Sequence, residues 1–115
     1  HFLAYNDQQS LDLINSVTGW GMDQAEWEQV SDRGLAMARL FNMREGTTRA
    51  DDRLPARFEE ALPMHPGLSP ESQAEIVTEY YVRHGWDAET GIPTEATMNA
   101  LGLGSYQAAR AAIPV

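Results

Sequence analysis

The sequence predicts an all-α fold: a compact orthogonal helical domain of about five to six helices joined by long irregular loops. Apolar residues recur at spacings of three and four over several segments, which is typical of helices packed on one side. No stretch keeps the two-residue alternation of a half-buried strand for more than a few positions. Because 115 residues suffice for one hydrophobic core, we expect a single domain over residues 1–115.

Capping residues and periodicity define the first two predicted helices. Asp7 can cap a helix over residues 8–18, which Gly19 ends. Asp23 can cap a second helix over residues 24–43. The residues expected to face the core are Leu11, Leu13, Ile14 and Val17 on the first helix and Trp27, Val30, Gly34, Met37 and Phe41 on the second.

The middle of the chain is predicted to be mostly irregular. Residues 47–55 form a polar loop, residues 55–61 a short helix, and residues 63–69 a proline-rich loop. Alternating charges accompany the first loop and favour an ion-pair network that fixes it; the functional alternative is anion capture by an arginine fork. These charges are Arg44, Glu45, Arg49, Asp51, Asp52, Arg53 and Arg57.

Three further helices are predicted in the last part of the chain. Ser69 caps the longest of them, and Gly85 ends it. Thr94 caps a helix over residues 95–101, and Ser105 caps a short one through Ala112. The inward face expected for the first of these helices consists of Gln73, Ile76, Val77, Tyr80, Tyr81 and His84.

The composition excludes several classes of function. The chain has 17 acidic and 8 basic residues, a net charge of -9, so we expect neither nucleic acid nor an anionic membrane as a partner. Every basic residue is arginine, which removes Schiff-base and P-loop lysine chemistry. The chain has no cysteine, so it cannot hold an iron–sulfur cluster by itself, and a cytoplasmic location is the simpler expectation.

No residue set in the sequence predicts a catalytic, cofactor-binding or metal site. The histidines, His1, His65 and His84, are too far apart for a local metal site. We expect His84 to be a packed or carbonyl-bonded residue on an apolar face and His65 to lie on the surface. The sequential acid pairs at 51–52 and 59–60 favour solvated or salt-bridged groups over an acid–base pair.

Five ordered blocks of sequence resemble the C-terminal domain of the aldehyde ferredoxin oxidoreductase family. They extend over nearly the whole chain, from about Asp7 to Leu103. The blocks are VTGW at 17–20, DRG at 32–34 with RLFNMREG at 39–46, DDRLPARF at 51–58, YYVRHGWD at 80–87, and GIPT at 91–94 with LGL at 101–103.

The resemblance implies a larger enzyme that oxidises aldehydes to carboxylic acids. Such an enzyme holds tungsten or molybdenum with two pterin dithiolenes and passes electrons through a 4Fe-4S cluster to ferredoxin. This chain would pack on the upstream cofactor-binding domains of the same polypeptide and help to wall the substrate channel, without cofactors of its own. The residues expected to face the cavity are Arg44, Glu45, Asp52, Arg57, Tyr81 and His84.

The resemblance also places the last cysteine ligand of the cluster near a Cys-x-Phe segment. Because Phe2 follows His1, we expect that cysteine one residue before His1. Two alternatives remain, a free-standing helical interaction module without catalytic activity and an anion-binding domain. We also expect the isolated chain to self-associate through an apolar patch.

Overall fold

The computed structural model describes residues 6–61 and 66–113. The regular structure in these ranges is helical, which confirms the all-α prediction. Within these ranges, the chain has no strand beyond one isolated antiparallel bridge between Trp86 and Pro93. None of the helices there combines the length and apolar character that crossing a bilayer requires. The helices are α1 (Asp7–Thr18), α2 (Gln24–Arg44), α3 (Pro70–Arg83), α4 (Glu95–Ala100) and α5 (Gln107–Ala111).

The two N-terminal helices begin with reciprocal capping boxes. At α1, the Asn6 side chain accepts from the Gln9 backbone N–H at 2.9 Å, and the Gln9 side chain accepts from the Asn6 N–H at 2.9 Å. The predicted cap Asp7 is therefore wrong by one residue, because Asn6 has the matching partner three positions on. At α2, Asp23 caps as predicted, with Glu26 as its partner.

The main core lies between the second half of α2 and the C-terminal third of the chain. Ala36, Leu40 and Met43 supply the α2 side of it. The predicted α2 face is wrong for Phe41 and Val30, whose side chains are 56% and 46% exposed. Small and apolar residues occur on most sides of α2, so periodicity alone does not select the buried one. The other core residues are Ile92, Met98, Leu101, Leu103 and Ile113.

Parts of the inward faces predicted for α1 and α3 are also exposed. On α1 Leu11 is buried, whereas Leu13 and Val17 are exposed. On α3 Gln73 and Tyr81 are buried, and the exposed members of the predicted face are Ile76 and Tyr80. The buried side of each helix is thus narrower than its apolar stripe, because few neighbouring elements cover it.

Short irregular segments connect these helices. The predicted helix over residues 55–61 is only a 3-10 turn at Ala56–Phe58, and the 47–55 loop contains another at Arg49–Asp51. Ser105 does not cap the last helix, because a third turn, Gly104–Tyr106, precedes α5. Thr94 caps α4 as predicted. His1, His65 and the first part of the 63–69 loop lie outside the described residues.

The molecule has the shape of a slab. Its principal dimensions are 48 × 41 × 21 Å. A helix with its side chains is about 10–12 Å across, so the slab is about two helices thick. Every helix therefore has one side at the surface, which explains the exposed apolar residues.

Candidate functional site: a buried ion-pair cluster beside an apolar groove

Arg39 is the one charged residue among the buried side chains of α2, where it lies next to the core with 8% of its surface exposed. Its Nε donates to the Gly91 carbonyl at 3.1 Å, and its Nη1 donates to Asp52 Oδ1 at 2.9 Å. Its Nη2 donates to the Tyr81 hydroxyl at 3.0 Å and lies 2.6 Å from Asp52 Oδ2. The guanidinium thereby satisfies the requirement that a buried charge be both paired and hydrogen-bonded.

Tyr81 completes this group, which we call the Arg39 cluster: Arg39, Asp52 and Tyr81. The Tyr81 hydroxyl donates to Asp52 Oδ2, so the carboxylate receives hydrogen bonds from both partners. Burial and the hydrogen bond to Asp52 raise the pKa of Tyr81 to about 12. Burial alone would lower the pKa of Arg39, but Asp52 raises it overall. The cluster is therefore ionised at Arg39 and protonated at Tyr81 throughout the neutral range.

The Arg39 cluster joins α2 to the 47–55 loop, α3 and the turn before α4. Two neighbouring side chains strengthen the same junction. Arg49 donates to the Ala88 carbonyl at 2.8 Å and to the Thr78 hydroxyl at 2.6 Å. The buried Gln73 accepts from the Leu54 N–H at 3.2 Å. These bonds are directional and replace the apolar packing that the loop lacks.

Gly91 permits the close approach of the turn to the Arg39 cluster. Its φ is 73°, in the left-handed region that favours glycine. A Cβ at this position would lie 2.5 Å from Arg39 Nη2 and 2.5 Å from Tyr81 Cζ. Any other residue would therefore displace the cluster as well as strain the backbone.

An open groove lies over the Arg39 cluster between α2, the 47–55 loop and α3; we call it the α2–α3 groove. Its volume is about 620 Å³, within the range of small-molecule sites. Arg39, Tyr81 and Trp86 are among the residues that border it. Its apolar lining consists of Leu35, Ala38, Leu54, Ile76, Val77 and Tyr80, and the other polar residues along it are Asn42, Asp51, Asp52, Arg53 and Gln73.

The structure brings together two of the six cavity-facing candidates, Asp52 and Tyr81. Arg44 and Glu45 form an exposed ion pair with each other at 3.0 Å. Arg57 lies over the Phe58 ring, with 5.3 Å between the guanidinium carbon and the ring centroid. Whether these residues face a cavity of a larger enzyme stays a prediction.

His84, the sixth candidate, is a packed histidine as expected. Its ring centroid lies 4.4 Å from that of Tyr80 and 5.7 Å from that of Trp86. Its Nδ1 lies 3.3 Å from Asp32 Oδ1, so its polar neighbour is a carboxylate. The imidazole is therefore packed against two aromatic rings.

Three contributions were not predicted from the sequence: Arg39, Gln73 as a loop contact, and Gly91. One signal for Arg39 was present, since it is the single charged residue in the run LAMARLFNM at 35–43. A lone charge in such a run indicates a buried partner. The identity of that partner was not readable, because Asp52 and Tyr81 lie 13 and 42 positions away.

A resident metal cofactor does not fit the residues present. In residues 6–61 and 66–113, no three histidine or acidic side chains lie close enough together to hold a metal ion. The 115 residues include no cysteine, the ligand that a 4Fe-4S cluster requires. The residues that the structure describes therefore offer no ligand set for such a cofactor.

Comparisons with known proteins give a family and one solved structure that this chain is similar to. The family model described as "Aldehyde ferredoxin oxidoreductase, domains 2 & 3" matches residues 2–103. A solved structure described as "Active site complex BamBC of Benzoyl Coenzyme A reductase in complex with 1,5 Dienoyl-CoA" superimposes with a TM-score of 0.70 and 31% identity. The match covers 88% of this chain and 14% of that chain, so the present sequence spans a small part of its relative. Comparison with curated protein sequences gives no match.

Proposed function

The chain belongs to the aldehyde ferredoxin oxidoreductase family, within domains 2 and 3, and on this premise we propose that it is part of an aldehyde-oxidising enzyme. The family match over residues 2–103 carries the proposal. In the proposed reaction an aldehyde and water give a carboxylate, three protons and two electrons, and the electrons pass to ferredoxin. The tungsten or molybdenum pterin and the 4Fe-4S cluster would belong to other parts of a longer polypeptide, as would the cluster cysteines.

Within that enzyme, the proposed role of this chain is to pack on the cofactor-bearing domains and help to wall the substrate channel. The slab shape supports this role, because it exposes apolar sides of α1, α2 and α3 that a further domain would cover. The Arg39 cluster fixes the 47–55 loop, so the groove beside it keeps its shape. The cytoplasmic location stays a prediction.

The chemistry of the Arg39 cluster favours a structural contribution over proton transfer. A general acid needs a pKa near the working pH, whereas the pKa of Tyr81 is raised to about 12. Its proton is also committed to Asp52. We therefore assign Tyr81 no catalytic role within the proposed enzyme.

A second candidate function is the reduction of an aromatic acyl-coenzyme A. One observation favours it: the 31% identity and 88% coverage with the structure described as benzoyl coenzyme A reductase. In this reaction the electrons would flow into the substrate instead of out of it. The two functions thus differ in the direction of electron transfer and in whether the substrate is attached to coenzyme A.

One experiment separates the two functions. The longer polypeptide that contains this sequence is purified with its cofactors and mixed with a redox dye and either benzaldehyde or 1,5-dienoyl-coenzyme A. Aldehyde oxidation predicts dye reduction with benzaldehyde, with ferredoxin able to replace the dye. Dye reduction with the dienoyl thioester alone would overturn the first proposal and support the second. Activity with neither substrate would contradict both and favour a non-catalytic helical module.

A further inference from the structure

We propose that residues 52–55, which we call the strap, form a gate that opens as one unit when Asp52 leaves Arg39 and Tyr81. The structure shows the closed form of the gate, in which the Arg39 cluster fixes the strap. The inference goes beyond the proposed function, because it concerns a motion of this chain and holds for either reaction.

The strap separates two cavities. The α2–α3 groove, of about 620 Å³, extends from it towards α2, and a second cavity of about 610 Å³ extends from it towards the beginning of α3. The two cavities share part of their lining, namely Asp51, Asp52, Arg53, Leu54, Gln73 and Val77. Because the strap is a wall that both cavities share, its opening joins them into one passage.

Polar contacts attach the strap to the helices, and none of its residues is buried. Asp52 binds Arg39 of α2 and Tyr81 of α3. The Leu54 N–H donates to the Gln73 side chain of α3 at 3.2 Å. Such bonds are exchanged for bonds to water with a small net loss, whereas buried apolar surface gives up its full contribution on exposure. A segment held in this way opens locally at a lower free energy than the core does.

The segments on either side of the strap are anchored by other contacts, which limits the motion to the strap. Before it, Arg49 donates to the Thr78 hydroxyl of α3 at 2.6 Å. After it, the Phe58 carbonyl accepts from the Leu68 N–H at 2.8 Å. The chain therefore stays fixed on both sides of a short segment while that segment moves, as in a hinged lid.

Asp52 is the member of the Arg39 cluster that can leave while its partners keep hydrogen bonds. Its side chain is 26% exposed, whereas Arg39 and Tyr81 are 8% and 2% exposed. After its departure Arg39 still donates to the Gly91 carbonyl and to the Tyr81 hydroxyl. The freed carboxylate moves into water, where a charge is well solvated. Arg39 loses its counter-ion in the process, which keeps the open form a minor one.

Native-state hydrogen exchange tests the gate in the 115-residue chain. The Leu54 amide, bonded to Gln73, should show a protection factor at least about a hundredfold lower than that of the Leu40 amide in the core. Low concentrations of urea should accelerate exchange at Leu40 and not at Leu54, because opening of the strap exposes little surface. Equal protection and equal urea dependence would show that the strap opens only with the whole chain, and would overturn the proposal.

Two alanine variants of neighbouring acids identify the latch. Asp52→Ala should accelerate exchange at Leu54 about tenfold, because its contacts are lost when the strap opens. Asp51→Ala is the matched control, since Asp51 binds the Thr48 N–H and hydroxyl, contacts that the open form keeps. It should leave the Leu54 rate unchanged. An unchanged Leu54 rate in Asp52→Ala, or equal acceleration in both variants, would contradict a latch at Asp52.

Relaxation dispersion on the unmodified chain tests whether the strap moves as one unit, and it does not depend on the folding of any variant. The amides of Asp52, Arg53 and Leu54 should show one common exchange rate on the microsecond-to-millisecond timescale. The Val77 methyl groups should share that rate, because Val77 borders both cavities beside the strap. Unrelated rates at these positions, or no exchange at any of them, would overturn the gate.

Discussion

At the scale of single residues, the most informative feature is a buried arginine that the chain uses to hold itself together. Arg39 has hydrogen-bonded partners at three separate points of the chain, and Tyr81 shares one of them. Removing one partner of such a group leaves the others buried without compensation. The cluster thus sets both the position of the 47–55 loop and the floor of the groove.

Tyr81→Phe should lower the free energy of unfolding by about 1–3 kcal/mol near neutral pH. The substitution removes the hydroxyl that donates to Asp52 and accepts from Arg39, and it leaves the ring in place. Denaturant unfolding of both proteins measures the difference. Equal stability would show that the Tyr81 hydroxyl contributes no net energy.

The raised pKa of Tyr81 also predicts that the difference in stability between the wild type and Tyr81→Phe depends on pH. The unfolded Tyr81 loses its proton near the ordinary value of 10, and the folded one retains it until about 12. The folded state therefore binds more protons between these values, so the contribution of the hydroxyl is complete below pH about 10 and decreases as pH rises to about 12. The stability gap between the wild type and Tyr81→Phe should shrink over that interval. A constant gap would contradict the raised pKa.

At the scale of helices, the ends follow from local chemistry. Asp23 accepts from the Glu26 N–H at 2.9 Å, and the Glu26 side chain accepts from the Asp23 N–H at 3.1 Å. This exchange involves residues only three positions apart, so the sequence alone reveals it. This capping box stabilises the first turn of α2, the helix that carries Arg39 and part of the core.

Asp23→Ala should lower the free energy of unfolding by about 1 kcal/mol, because the first turn of α2 loses its side-chain acceptor. Asp23→Asn is the matched control, since asparagine caps about as well as aspartate. Chemical denaturation of the three proteins measures both effects. A loss as large in Asp23→Asn as in Asp23→Ala would assign the effect to charge and not to capping.

At the scale of the whole molecule, the slab leaves exposed apolar side chains on α1 and just beyond its end; we call Leu13, Val17 and Trp20 the α1 stripe. Leu13 and Val17 lie on α1 and Trp20 follows its glycine stop, with exposures of 56%, 79% and 71%. Exposed apolar surface of this kind marks a contact with another molecule or domain. For the isolated chain the available partner is a second copy.

The isolated chain should therefore self-associate as its concentration rises, and sedimentation velocity measures this association. Higher salt should strengthen the association, because it screens the repulsion between chains with a net charge of -9. The double variant Val17→Ser and Trp20→Ser should remain monomeric at concentrations where the wild type associates. The control, Gln8→Ser with Gln24→Ser, changes two exposed polar residues and should behave as the wild type. Association that persists in the first variant would exclude the α1 stripe.

The sequence by itself determined the helices, most of their caps and glycine stops, and the family. These features depend on residue identity or on contacts within about one helical turn, as at Asp23, Gly19 and Thr94. Only the tertiary structure decided which side of each helix is buried and which charges meet. Arg39 reaches Asp52, Tyr81 and Gly91 across 13, 42 and 52 positions, and these encounters depend on the path of the whole chain. Phe41 and Val17 are exposed for the same reason: a slab about two helices thick has no element left to cover them.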